Sequence, residues 1–348
     1  NNMLNSKVLI NPKETLFRAL EILQIKSIKC LIVVNNKNRL LGTINDGDIR
    51  RAILKGSNIK STIVSAYRKK CYYIVKTAKT IDENRIFKKA KPEIELIPVV
   101  DSKKIVLSYL SKNKKKTNRK KSKFNNIKII IMAGGLGTRL KPYTNIIPKP
   151  LLPYNGNTII ESVIETFTKF GFNKFLVSLN YKNILMKSFF QELKPNYDVS
   201  FLQEKKPLGT AGILRKLYSK NNKKYLVTNC DTILDADYED LINYHNKSKN
   251  DLTIAASTKK NKIPYGVCYI HNNKLKKIDE KPENFYLANV GVYLVSSNVL
   301  NLITKNNPTS FVDFINKLLL KKKKIGIFPI AEKSWTDLGQ TVEFIDRN

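Results

Sequence analysis

From residue 125 onward, apolar and β-branched residues come in short unbroken runs: IKIIIM at 127–132, KFLVSL at 174–179, KYLVTN at 224–229, LTIAAS at 252–257 and ANVGVYLV at 288–295. None alternates with polar residues, which predicts strands covered on both faces. Between them the period lengthens to that of a helix, as in TIIESVIETFTKFGF, where Thr158 is placed to cap the start and Gly171 the end. Strands and helices alternating over this length predict an α/β fold: a doubly wound, mostly parallel sheet between helices, Rossmann-like, with ligands at the C-terminal edge of its strands.

The pattern before residue 112 is different. A helix-like stretch from Thr15 precedes LIVVNNKNRLLGTINDGDIRRAIL, and one from Thr80 precedes LIPVVDSKKIVLSYL. Thr15 and Thr80 are 65 residues apart, Ile32 and Pro98 are 66 apart. Two copies of helix, strand, turn and strand are implied, each too small to close a core alone, so they should pack as a pair in a smaller α+β domain. These residues resemble a tandem CBS pair, a regulatory module that often binds adenine nucleotides between its repeats. Thr43 and Asp46 of GTINDGDIRR match that family's threonine and ribose-binding aspartate. The second copy offers Ser108 but no aspartate three residues on, so at most one full site for an adenine-nucleotide effector is expected. The resulting organisation is residues 1–111 as the CBS pair, 112–124 as a basic linker in which like charges repel one another into an extended tether, and 125–348 as the α/β domain.

Composition narrows the function classes. The 348 residues carry 63 Lys and Arg against 28 Asp and Glu, a net charge of +35. Such a balance suits nucleic acid or an anionic surface. However, Lys, Asn and Ile are abundant in every segment, the lysines do not collect on one predicted face, and no nucleic-acid-binding signature accompanies them; no nucleic-acid partner is expected. Cys30, Cys71, Cys230 and Cys268 lie far apart and only two histidines occur, His245 and His271, which argues against a zinc site or disulfide framework. NNMLNSKVLI lacks the order of a secretory signal, and no apolar run approaches the ~20 residues that span a bilayer. A cytoplasmic location without membrane partners is expected.

The candidate chemistry starts at MAGGLGTRLKPYTNIIPKPLLP, residues 132–153. A buried strand runs into glycines that let backbone N–H groups approach an anion. Neither the P-loop spacing nor a dinucleotide-binding fingerprint is present. Pro148 and Pro150 fix the backbone on both sides of Lys149, a rigid mounting that suits a phosphate partner. Asp231 in NCDTIL emerges at the end of a strand, where such a sheet binds ligands, and Asp337 of SWTDLGQ is its plausible partner. Paired hard carboxylates suit Mg2+.

G-G-x-G-T-R-L followed by P-K-P-L-L-P resembles the signature of the sugar-1-phosphate nucleotidyltransferases, whose fold is GT-A-like, and the resemblance extends over residues 127–348. It implies that the backbone around Ala133, Gly134, Gly135, Gly137 and Thr138 holds a nucleoside triphosphate, with Arg139 on its phosphates and Lys149 at the α-phosphate. It also implies that Asp231 and Asp337 share the Mg2+ ion. Gln203, Pro207, Leu208, Gly209 and Thr210 of QEKKPLGTAG would line the base pocket, in wording similar to guanylyltransferases, which favours GTP; read without the resemblance, the stretch is a turn before a helix. Tyr265 and Gly266 would cover the sugar, Glu280 and Lys281 would contact its hydroxyl and phosphate, and Asn289 and Gly291 would lie on a second sugar-binding strand. Gln340 departs from the family, which usually has threonine there.

The implied reaction is attack of a sugar 1-phosphate on the α-phosphorus of GTP with release of pyrophosphate. A CBS pair ahead of a guanylyl-type transferase resembles the glucosamine-1-phosphate guanylyltransferases of legionaminic acid synthesis. Mannose 1-phosphate or a heptose 1-phosphate is the alternative acceptor, and a catalytically silent regulatory subunit is the alternative of another class. A homo-oligomer is expected.

Overall fold

In a computed structural model the described residues are 2–3, 8–25, 30–76, 86–87, 90, 94, 96–111, 127–204, 206–221 and 223–339. The basic linker, most of the stretch from Thr80 and Gln340 lie outside them. The chain divides into two compact units, Asn1–Thr117 and Asn118–Asn348.

The first unit contains β1 (Asn2–Met3), β2 (Leu9–Ile10), α1 (Leu16–Ile25), β3 (Cys30–Val34), β4 (Leu40–Asn45) and α2 (Asp46–Leu54). Asn45 starts α2 with a capping box that it shares with Asp48. β2 lies parallel to β3, and β3 antiparallel to β4. The arrangement returns in β5 (Ile74–Val75), β6 (Leu96–Val100) and β7 (Val106–Ser111): β5 is parallel to β6, β6 is antiparallel to β7, and β1 adds to β7.

The repetition reaches the irregularities. The register slips between Val33 and Val34 in one hairpin and between Val99 and Val100 in the other. A residue with positive φ closes each turn, Asn38 (55°) and Lys104 (64°). Asn35 Oδ1 accepts from the N–H groups of Lys37 and Arg39, as Asp101 Oδ1 does from Lys103 and Ile105. The two turns then bond each other reciprocally: Leu40 N–H donates to Lys104 O (2.9 Å) and Val106 N–H to Asn38 O (3.0 Å). Ile32, Val34 and Leu40 from one hairpin and Leu96, Val100 and Val106 from the other share one buried cluster. The two copies therefore do close a core together.

In the second unit, β8 (Ile127–Met132), α3 (Ile159–Thr168), β9 (Lys174–Leu179), α4 (Asn183–Leu193), β10 (Asp198–Gln203), β11 (Lys224–Asn229), β12 (Thr232–Leu234) and α5 (Tyr238–Lys247) follow one another. Next come β13 (Leu252–Lys262), β14 (Val267–His271), β15 (Lys274–Asp279), β16 (Glu283–Ser296), α6 (Phe311–Leu320), β17 (Ile325–Ile330) and β18 (Trp335–Asp337). The central sheet has the order β10-β9-β8-β11-β16-β13-β17. Every strand except β16 runs in one direction. Ile129, Ile130 and Ile131 are each fully buried, which explains the unbroken apolar run: one face meets Val163, Phe167 and Tyr238, the other meets Leu214, Leu300 and Phe314. Thr158 and Glu161 form the capping box of α3, and Gly171 follows its end with φ 91°.

Two features differ from the sequence reading. ANVGVYLV is only the C-terminal part of β16, the reversed strand; an unbroken apolar run signals burial and carries no direction. Strand β10 had no such run, because it sits at the sheet edge, half exposed, with β9 as its one neighbour in the sheet.

Candidate functional site

Four parallel strands deliver their C-terminal ends to one edge: Met132 of β8 pairs with Ser178 of β9 and Asn229 of β11, and Leu179 of β9 with Gln203 of β10. The residues just beyond these ends build the site. Ala133 is buried and its N–H donates to the carbonyl and hydroxyl of Ser178 (both 3.2 Å), which leaves the backbone of Gly134 and Gly135 as the part of the loop facing outward. Around Gly135 nothing lies within 4 Å of where a side chain would begin. Gly137 has φ 64°, and a β-carbon there would stand 2.8 Å from Thr144 Cγ2 and 3.1 Å from Lys149 Cβ. That close approach draws Lys149 in towards the loop. Thr138 and Arg139 are exposed on the following turn.

Lys149, Asp231 and Asp337 converge. Lys149 Nζ is bonded to Asp231 Oδ2, with side-chain exposures of 15% and 18%. β12 pairs with β18 so that Thr232 stands opposite Asp337, and Leu338 N–H donates to Asp231 O (2.9 Å). Gly339 N–H in turn holds Asp337 Oδ1 (2.8 Å). A β-carbon on Gly339 would lie 2.6 Å from Asp231 Oδ2, 2.7 Å from Lys149 Nζ and 3.0 Å from Asp337 Oδ1. Both carboxylates and the ammonium are thus packed directly against Gly339, an approach that only a residue without a side chain allows. Among the described residues no three His, Cys, Asp or Glu side chains form a metal cage. Two carboxylates brought this close together are nonetheless a donor set that fits Mg2+, which keeps waters and substrate phosphates in its shell. The neighbouring Cys230 thiol is pushed up to about 12 by burial and then by Asp231, so it offers no nucleophile.

Glu204 was missed in the sequence. It follows β10, is 7% exposed, and its Oε1 would lie 3.3 Å from a β-carbon on Gly134. Burial raises its carboxyl pKa, opposed by the Leu208 N–H that it accepts (2.9 Å) and by Lys216. The signal available was its place one residue past a strand end, but β10 itself was not recognised. Gln203, in contrast, is exposed: its side chain accepts from Lys187 Nζ (3.1 Å) and its carbonyl from Lys216 Nζ (3.0 Å).

Pro207 and Leu208 lead into a single helical turn, Gly209–Gly212, so the plain reading of a turn before a helix describes the local structure. Gly209 (φ 73°) lies so close to Thr309 that a β-carbon would be 2.7 Å from its carbonyl. Thr309 N–H donates to Leu208 O (2.8 Å), Ala211 N–H to Thr309 O (2.9 Å) and Phe311 N–H to Thr210 Oγ1 (2.9 Å). Thr210 therefore braces the start of α6.

The residues read as acceptor contacts gather on the hairpin and strand that follow β13. Lys281 (φ 46°) donates its N–H to Tyr265 O (3.3 Å), and Glu280 Oε2 would be 3.0 Å from a β-carbon on Gly266. Asn289 holds Gly291 N–H (3.0 Å) and Tyr293 OH (2.8 Å). Gly291 packs on Asn229, and Thr232 Oγ1 donates to Val290 O (3.3 Å), so β16 passes directly beside the aspartate-bearing turn. In the first unit, Thr43 is 9% exposed and pairs both ways through its backbone with Arg68, whereas Asp46 is about half exposed and ion-paired with Arg50.

The CBS domain family model matches residues 3–55, within the first of the two copies. A mannose-1-phosphate guanyltransferase of Debaryomyces hansenii is 32% identical over 230 residues, 63% of this chain and 63% of that protein. One from Saccharomyces cerevisiae is 30% identical over the same shares. The chain thus spans under two thirds of the length of the curated relatives it matches. The solved structure of HddC from Yersinia pseudotuberculosis complexed with GMP-PN is 27% identical and covers 62% of this chain and 96% of its own, with a TM-score of 0.49. The Nucleotidyl transferase family model matches residues 128–348, which takes in all four strand ends and the cluster at Gly339, and the chain belongs to that family.

Proposed function

We propose that this protein is a sugar-1-phosphate guanylyltransferase. The observation that carries the reading is the convergence of Lys149, Asp231 and Asp337 beside Gly339. Both reactants are polyanions, so the protein has to hold two phosphates together and offset their repulsion. Asp231 and Asp337 would hold Mg2+, and the bound ion would neutralise charge on the reacting phosphates. The outward backbone of Gly134 and Gly135 accommodates the triphosphate. Arg139 and Lys149 compensate the charge spread over the transition state. An oxygen of the sugar 1-phosphate forms the new bond to the α-phosphorus while the bond to the pyrophosphate oxygen breaks. No general base is required, because the attacking phosphate is already ionised.

Glu204 supports guanine as the base. Guanine is the one common base with two adjacent donors on its pairing edge, which matches a carboxylate beside the triphosphate loop. The acceptor in this proposal is glucosamine 1-phosphate, supported by the CBS module preceding the transferase. The names of the relatives point instead to mannose 1-phosphate. An adenine nucleotide at Thr43 and Asp46, and a homo-oligomeric state, belong to the same proposal.

The test is a matrix of the four common nucleoside triphosphates against glucosamine, mannose and heptose 1-phosphates, read by pyrophosphate release. The expected result is release with GTP and one dominant sugar. Silence across the matrix overturns the proposal and favours a regulatory subunit.

A further inference from the structure

We infer that in the nucleotide-free protein the Lys149 ammonium stands in for the divalent ion, holding the two aspartates together until a triphosphate draws the lysine away. The identity of the ion and of the nucleotide rests on the proposed function; the competition itself rests on geometry. The point at Gly339 lies within 3.0 Å of Asp231 Oδ2, Lys149 Nζ and Asp337 Oδ1. A divalent ion bound by both carboxylates would use the Asp231 oxygen that now holds the lysine. Two cations a few ångströms apart in a half-buried site repel strongly. One of them has to leave.

The mounting of Lys149 makes this exchange a side-chain movement. Its backbone is flanked by Pro148 and Pro150, and its Cβ is packed against Gly137. Beyond Cβ the four-carbon stem is flexible and ends in a point charge with three donors. A triphosphate in the loop of Gly134 and Gly135 gives that charge an alternative anion. Metal and nucleotide should therefore bind cooperatively, and by linkage each strengthens the other equally. The consequence has an unexpected sign: removing a residue placed in the reaction machinery should tighten metal binding.

The test uses the full-length protein and Mn2+ as the probe, with free ion followed by electron paramagnetic resonance. Lys149→Met should bind Mn2+ alone at least about tenfold more tightly than the unmodified protein. Lys149→Arg, which keeps the charge, should not, and Asp231→Asn should lose the site. Adding α,β-methylene GTP should tighten binding to the unmodified protein and erase the advantage of Lys149→Met. Lys149→Gln serves the same purpose if circular dichroism shows Lys149→Met to be unfolded. Mn2+ affinity unchanged or weakened in the folded neutral variants overturns the inference, as does unchanged affinity in Asp231→Asn. The outcome is separable from the proposed function: a tighter variant with no pyrophosphate release in the substrate matrix keeps the inference and sinks the reaction, and the reverse result does the opposite.

Discussion

The two ends of the candidate site are built differently. At Gly339 the charged groups are largely covered, with Lys149 and Asp231 15% and 18% exposed, and each is tied to a strand end or a fixed turn. On the side proposed for the acceptor, Tyr265 is 74% exposed and the side chains of Glu280 and Lys281 are 72% and 58% exposed. The contrast fits the proposed reaction. Carboxylates that hold a metal ion at a reaction centre work when they are fixed in advance in a poorly solvated place. Recognition of a sugar tolerates exposed side chains on loops, where substitutions cost the fold little.

The sharpest way to break this contrast is Gly339→Ala. The new methyl group would push against the two carboxylates and the lysine, so guanylyl transfer should fall by at least about a hundredfold, while circular dichroism shows an intact fold. Activity near that of the unmodified protein would mean that the convergence is not the reaction centre. A smaller effect is expected at the exposed end. Glu280→Gln and Lys281→Met should each raise KM for the sugar 1-phosphate by about tenfold with KM for GTP unchanged, read from initial rates. A change in GTP affinity instead would join the two ends into one rigid site.

The smallest effect on turnover, and one on stability, comes from the support behind both ends. His245 of α5 is buried against Thr253 of β13 (Nδ1 to Oγ1, 2.8 Å) and Ser296 of β16 (Nε2 to Oγ, 3.3 Å). Burial, helped by Lys224, lowers its pKa from 6.5 to about 4. The unfolded chain therefore takes up a proton between these values while the folded chain does not. Stability should fall by up to about 3 kcal/mol as pH drops from 6.5 to 4, with no contribution from this group above that window. Urea unfolding at pH 7 and pH 4.5 measures it, and His245→Gln should remove that part of the slope.

Much of this was legible in the sequence because burial writes itself into composition. The runs at 127–132, 174–179 and 224–229 coincide with strands β8, β9 and β11. Thr158 and Gly171 flank α3 as expected, since caps are local. Lys149 was readable as a candidate from its two flanking prolines and Asp231 from its place after a strand, while Asp337 entered through the family resemblance. Their meeting at Gly339 was not, because it depends on β12 pairing with β18 across more than a hundred residues. Glu204 was hidden for a similar reason: an edge strand half open to water lacks the apolar run that would have drawn attention to the residue after it. Thr210 has a structural role that the sequence did not reveal. Its hydroxyl accepts the first N–H of a helix about a hundred residues later in the chain.

The matched turns of the first unit carry a consequence for how that module can change over generations. Its two halves are joined there by amide and carbonyl groups at Asn38, Leu40, Lys104 and Val106, and every residue except proline supplies both groups. Selection on this seam therefore acts on loop length more than on letters. The halves are free to drift apart in sequence, but an insertion or deletion in either loop would put the whole pair out of step.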